Sequence, residues 1–264
     1  KMIERGESSM LAIDRICFTK DGFLNDEFRN LFSSLFDDAA VHVNIIKTLA
    51  KKGKGLTRNE IIESCKLKSG GGTSQILDEL AESGFIGIFT PYGKTAKDSV
   101  YKLVDEYTLF YTKFIEHGKL KGAGSWAKYS RTQSWTSWSG YAFENICLKH
   151  IAQLKSALGI ASVHTENYMW RYTPQKDDIG AQIDLLIDRQ DMCINLCEMK
   201  FSNTEFEITK SYAKELQTKM NVFIEKTKTR KTLFLTLVTT NGVKNTGNYI
   251  GLIQNEVKMD ALFK

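Results

Sequence analysis

From Leu31 to Leu80 the apolar residues of this chain recur at steps of three and four, whereas between Ala181 and Phe201 they crowd both alternate sets of positions. The first pattern predicts helices packed by one stripe, the second a pair of strands covered on both faces. Leu31, Phe32, Leu35 and Phe36 give a connecting helix within residues 1–38. Val41, Val43, Ile45, Ile46 and Leu49 give the next, closed by Lys51, Lys52 and Gly53, the cations and glycine that a helix C-terminus favours. Thr57 with Glu60 predicts a capping box ahead of Ile61, Ile62 and Cys65. The glycines at 70, 71 and 72 turn into a third helix, Thr73 to Ser83, facing inward through Ile76, Leu77 and Leu80. Residues 85–88 and 100–103 read as strands about a Pro91-Tyr92-Gly93 turn. Three helices and a hairpin in that order predict a winged helix-turn-helix domain over 39–118.

The third helix exposes Gln75, Asp78, Glu79 and Glu82 and no Lys or Arg, so phosphates would be repelled and a packing or protein-contact role is favoured over groove reading. Lys94 and Lys97 on the wing are better phosphate contacts. The glycine run lacks GxxxxGK[ST] spacing and a preceding strand, which argues against a phosphate loop. Tyr107, Phe110, Tyr111 and Phe114 predict an aromatic helix that docks this domain onto the C-terminal half of the chain. Residues 119–139, rich in Gly, Ser and Trp, read as a linker; Trp126, Trp135 and Trp138 beside Lys128 and Arg131 would either pin it to a surface, the commoner use, or stack bases.

A helix from Gly140 to Leu158 carries Phe143, Ile146, Cys147, His150, Ile151 and Leu154 on its apolar face, with Glu144 at the edge of that stripe near the N-terminus, where a negative charge is also favourable for the helix itself. His150 reads as a satisfied core histidine rather than a catalytic base. The next pattern, Ala181 to Phe201, is a hairpin about Asp188-Arg189-Gln190-Asp191. If its connection holds an odd number of residues, Gln182, Asp184, Glu198 and Lys200 share one face at the end away from the turn. Two carboxylates between apolar faces repel each other and lose hydration, at a cost of roughly several kcal/mol unless a cation compensates. A surface hairpin with an ordinary salt bridge is the bland alternative. Ile208, Tyr212, Leu216, Met220 and Phe223 then give a helix whose other side shows Lys210, Lys214 and Lys219, followed by the basic run 226–231 and a strand, 232–238. Lys214, Lys219, Lys228 and Arg230 would approach a phosphate backbone or simply form a solvated face. Helix, hairpin, helix and strand in that order predict an α/β core with a mixed sheet over 140–264.

Composition changes this picture little. With 264 residues, 42% hydrophobic and 25% charged, the chain has room for one large or two ordinary domains and is not disordered. A formal net charge of +5 is compatible with a polyanionic partner without demanding one. Five cysteines without a CxxC pair suit reduced core thiols in a cytoplasm, and no apolar run of membrane-spanning length occurs. A chain that opens on Lys1 reads as a fragment or a processed product.

Asp184, thirteen residues, then Glu198-Met199-Lys200 follow the D…(D/E)xK pattern, and here the chain resembles the PD-(D/E)XK nuclease superfamily, with Glu144 matching its first-helix glutamate. GYAFENIC, QIDLLID, CEMKF and MDALF, together with EFRNLFSSLF, GLTRNEI, LDELAESGFI, YKLVDEYTLFY and WSGYAFE, resemble the C-terminal region of predicted bacterial and archaeal AAA-type ATPases over nearly the whole chain. The family's terminal acidic-acidic-Leu-Phe stands here as Asp260-Ala261-Leu262-Phe263, one acid short. The resemblance implies an α+β chain with an N-terminal winged helix and a C-terminal restriction-endonuclease-like, PD-(D/E)XK mixed-sheet domain. It implies a missing ATPase domain as partner, since no Walker A motif occurs. It further implies Mg²⁺ or Mn²⁺ on Asp184, Glu198 and the Met199 carbonyl, with Lys200 and Glu144 in catalysis on a nucleic acid, more readily DNA. A module that binds nucleic acid or protein without cutting is the competing expectation, because fold and turnover are separable.

Overall fold

The structure is a computed structural model of the 264-residue chain that describes residues 2–119, 121–174, 178–244 and 251–264. The chain forms two units, residues 1–88 with 99–139 and residues 89–98 with 140–264.

In the first unit local capping and a single apolar stripe per helix set the architecture. α1 (Ser9–Ile13) runs on as a π-helical turn to Phe18, and α2 (Phe23–Leu35) follows. Asp38 caps α3 (Ala39–Lys51) by accepting from the Ala40 N–H at 3.3 Å. β1 (Leu56–Thr57) leads into α4 (Arg58–Cys65), where both halves of the Thr57/Glu60 capping box are made. α5 (Gly71–Glu82), β2 (Ile86–Phe89) and β3 (Val100–Leu103) complete the run, and β3 lies between β1 and β2 in a three-stranded sheet. Ile45, Ile46, Leu49, Ile61, Leu77 and Leu80 are all buried at its centre. The aromatic segment is α6 (Glu106–Phe110) with a π-helical turn to Ile115, and Tyr111 stacks on Phe28 at 4.3 Å. The stretch 119–139 carries α7 (Ser125–Tyr129) and the start of α8 (Gln133–Lys149). Its Trp126 is buried against Phe114 and Trp138, and the carboxylate of Asp14 accepts from the N–H groups of Gly124 and Trp126 at 2.8 and 2.7 Å. The Trp126 indole therefore packs in the core, and its faces are not open to a base.

The second unit is built on a mixed five-stranded sheet in the order β4 (Thr165–Tyr172), β5 (Ala181–Arg189), β6 (Cys193–Lys200), β7 (Thr232–Thr239), β8 (Asn255–Lys258). β4, β5 and β6 are antiparallel, and β6, β7 and β8 parallel. Strand alternation sends Leu185, Ile187, Cys197, Met199 and Val238 to one face, where Phe143 and Cys147 of α8 and Leu154 of α9 (Ile151–Ala157) pack. Leu186, Ile194, Leu196 and Leu235 go to the other, beneath Leu216 and Phe223 of α10 (Lys210–Thr227). The helix expected from Gly140 to Leu158 breaks at His150, whose non-helical backbone (φ −112°, ψ 33°) begins α9. The ring of His150 bonds back to the Ile146 carbonyl at 2.8 Å and sits against Phe263, a satisfied structural histidine. No described helix is long and apolar enough to cross a membrane.

Candidate functional site

The β5/β6 hairpin turns through residues 190–192, with Met192 in the left-handed region (φ 63°). Pairing of Asp188 with Ile194 makes the connection odd, so the even positions of the two strands share a face near the turn. Ladder pairing then stops at Leu185 and Cys197. Beyond that point the Met199 N–H turns to the Asp184 side chain, which accepts it through Oδ2 at 3.0 Å. A residue's N–H and C=O address the same neighbouring strand, so the Met199 carbonyl also faces this opening.

A β-bulge explains why the opening lies there. Against β4, Tyr168 pairs with Leu186 but Trp170 pairs with Ile183, so Asp184 and Leu185 oppose the single residue Met169. The extra residue reverses the alternation: Ile183 and Ala181 join Leu186 on the α10 face. Gln182, expected beside Asp184, Glu198 and Lys200, is therefore turned to the face opposite Ile183, and strict alternation fails for it because of that inserted residue.

Glu198 is 1% exposed. Its Oε2 accepts from Lys219 Nζ at 2.8 Å and lies 3.6 Å from Lys200 Nζ, while Oε1 is buried without a hydrogen-bond partner. Burial, then the charge of Asp184, raises the Glu198 carboxyl to about 7, against the opposing pull of Lys219 and Lys200. Burial alone would weaken the Lys219 ammonium, but attraction to Glu198 and the hydrogen bond to it outweigh that and leave it raised. The two shifts draw on one ion pair, and desolvation dominates on the carboxylate. We therefore take Glu198 to be the group that titrates near neutrality, beside a Lys219 that stays charged. Tyr212, one helical face along from Lys219, places its ring 5.4 Å from Lys200 Nζ, and its hydroxyl too is buried without a partner.

The structure thus brings Asp184, Glu198, Met199 and Lys200 together at the open end of the hairpin and adds Lys219 and Tyr212. Glu144 comes from α8, which covers the opposite face from α10; it and Asp184 both act on the buried Cys147 thiol, which burial chiefly pushes up. Lys219, expected on the solvated side of α10, is instead 18% exposed against Glu198. Lys214, Lys228 and Arg230 are exposed at or beyond α10, and Lys94 and Lys97 are exposed in the 89–98 segment, which packs within the second unit through Tyr92 on Tyr168 and Phe223. Sequence holds a signal for the two residues it did not single out: Tyr212, Leu216 and Lys219 stand at i, i+4 and i+7, one face of a helix.

The donor set fits a hard divalent cation in its chemistry. Asp184, Glu198 Oε1 and the Met199 carbonyl are oxygens on one side of the split, and the orphaned Oε1 lacks the partner that a buried carboxylate oxygen requires. Among the described residues, however, no group of three or more His, Cys, Asp and Glu side chains is disposed to hold a metal, so the third protein ligand would have to be the carbonyl.

No family model matches the chain, and no curated protein does. The solved structure of protein VC1899 from Vibrio cholerae is similar over 98% of this chain and 55% of that one, with a TM-score of 0.34 and 7% identity. The chain thus spans about half the length of that protein.

Proposed function

We propose that the second unit is a PD-(D/E)XK-type phosphodiesterase, a metal-dependent nuclease, and that the first is a winged helix serving DNA or protein contact. A single observation carries the reading: Glu198, almost fully buried, keeps one oxygen unpartnered at a split in the sheet where Asp184 and Lys200 also stand. A fold has little reason to hold an acid so placed unless something binds it. Asp184, Glu198 and the Met199 carbonyl would hold Mg²⁺ or Mn²⁺, which when bound supplies Lewis-acid polarisation of a phosphoryl oxygen and a more acidic water. Asp184 is fixed for this by the Met199 N–H, and Glu198 by Lys219. Lys200, 29% exposed, reaches toward solvent and would neutralise the charge that gathers on the phosphate oxygens as water adds. Lys214, Lys228 and Arg230 would meet the nucleic-acid backbone, and an ATPase domain is the expected partner in a longer protein.

The experiment is cleavage of labelled DNA and RNA by the purified chain with Mg²⁺ or Mn²⁺, set against Asp184→Asn and Lys200→Gln. Loss in both variants is the expected result; no cleavage by any of them rejects the reading. One observation favours a second reading, a binding module without turnover: Lys219 already compensates Glu198, so the site can close on itself without an ion. Intact DNA binding with no Mn²⁺ uptake would select it.

A further inference from the structure

Two buried polar atoms at the opening lack partners, Glu198 Oε1 and the Tyr212 hydroxyl, and they come from different elements, β6 and α10. Native proteins leave few such atoms unsatisfied, and a pair of them at one place marks a position for something that bonds to both. Their chemistry narrows what that is. A carboxylate oxygen only accepts, whereas a phenol donates and accepts. The hydroxyl is closed off from solvent, so a bulky phosphate cannot reach it directly, but a single water can. Lys219 engages Glu198 through Oε2 and thereby presents Oε1. Phe206, edge-on to the Tyr212 ring at 5.4 Å, and Lys200 Nζ, 5.4 Å from its centroid, hold the ring in place. Burial, then the charges of Glu198 and Asp184, push the phenol up, which places its oxygen within the field of both acids.

We propose that Tyr212 is a catalytic residue of the phosphodiesterase site, its hydroxyl and Glu198 Oε1 together holding the attacking water; this rests on the function proposed above. The water donates one hydrogen to Oε1 and accepts one from Tyr212, which leaves a lone pair for phosphorus. In the step, the water oxygen bonds to phosphorus and the bond from phosphorus to the leaving sugar oxygen breaks. The water's proton passes to Glu198 Oε1, and the leaving oxygen takes a proton from solvent. Tyr212 keeps its own proton throughout and acts by orientation.

Tyr212→Phe tests this, because it deletes one orphaned oxygen and nothing else. With the full chain, Mn²⁺ and labelled DNA, kcat should fall by about tenfold or more while KM for DNA and Mn²⁺ affinity stay within about twofold, since the residue touches neither backbone nor ion. The metal-free melting temperature should hold or rise, because an unsatisfied buried hydroxyl has been removed. If the wild type cuts, Asp184→Asn does not and Tyr212→Phe cuts at the wild-type rate, Tyr212 holds an ordinary structural water and the proposal is overturned while the nuclease reading stands. A parallel fall in melting temperature and activity assigns the hydroxyl a structural role and overturns it equally. If the wild type itself does not cut, both fall.

Discussion

The two ends of the β5/β6 hairpin carry similar acids and treat them in opposite ways. At the turn end, Asp191 is paired by Arg189 at 2.9 Å and Asp188 by Lys231, and these side chains all keep some contact with water. At the open end, Asp184 and Glu198 lie where the ladder has parted, with Glu198 buried and one of its oxygens unmatched. Ion pairs of the first kind contribute little, about 1 kcal/mol or less, and tolerate loss. Those of the second kind are costly to assemble and costlier to break, so their retention calls for a use beyond folding. The hairpin is in effect one structural end and one chemical end, joined by the apolar residues between them.

The contrast breaks most sharply at Lys219. Lys219→Met should destabilise the chain by about 2–4 kcal/mol in urea denaturation, because Glu198 then loses its 2.8 Å partner and keeps only Lys200 at 3.6 Å. Adding Glu198→Leu should recover most of that, since removing both partners spares the unpaired charge.

A second effect comes from pH. The carboxyl of Glu198 titrates at about 7 in the folded chain, above its ordinary value of 4.5. The unfolded chain therefore releases this proton first as pH rises, so the contribution is fully present below about 4.5 and lost on the way through about 7. Asp184, Lys200, Lys219 and Tyr212 surround the group. Metal-free protein should lose stability across that window more steeply than Glu198→Gln; parallel curves would show that the buried acid is not the cause.

Smaller changes belong at the turn. Lys231→Met should cost about 1 kcal/mol or less, with DNA cleavage unchanged. Met192→Gly should stabilise by a few tenths to about 1 kcal/mol, because Met192 is exposed and holds φ 63°, which glycine adopts without strain. A loss of cleavage in Lys231→Met would erase the distinction between the two ends.

Much of this architecture is legible in the chain. The Thr57/Glu60 capping box, the α3 boundaries, the odd hairpin connection and the two-sided burial of β5 and β6 all come from local patterns that tertiary packing leaves intact. Alternation misplaces Gln182 because a bulge is set by the partner strand, and β4 offers no clear alternation: Glu166 and Asn167 are exposed beside half-buried Tyr168 and Met169. Lys219 and Tyr212 are hard to read for a different reason. Charge on a helix ordinarily means solvent and an aromatic in a stripe ordinarily means core, and here each does the reverse of half its role, the lysine buried against an acid and the tyrosine keeping a polar tip in the site. The span 119–139 looks like a linker because tryptophan, glycine and serine obscure a helical period, although Trp126 packs as a core residue.

The central claim, that the open end of the hairpin is built to receive a divalent ion for phosphodiester chemistry, is tested most directly by anomalous diffraction from crystals soaked in Mn²⁺. The expected result is a peak about 2–2.5 Å from oxygens of Asp184 and Glu198 and from the Met199 carbonyl, absent in Asp184→Asn. A soaked crystal with Lys219 still closed on Glu198 and no peak at the split would contradict the claim.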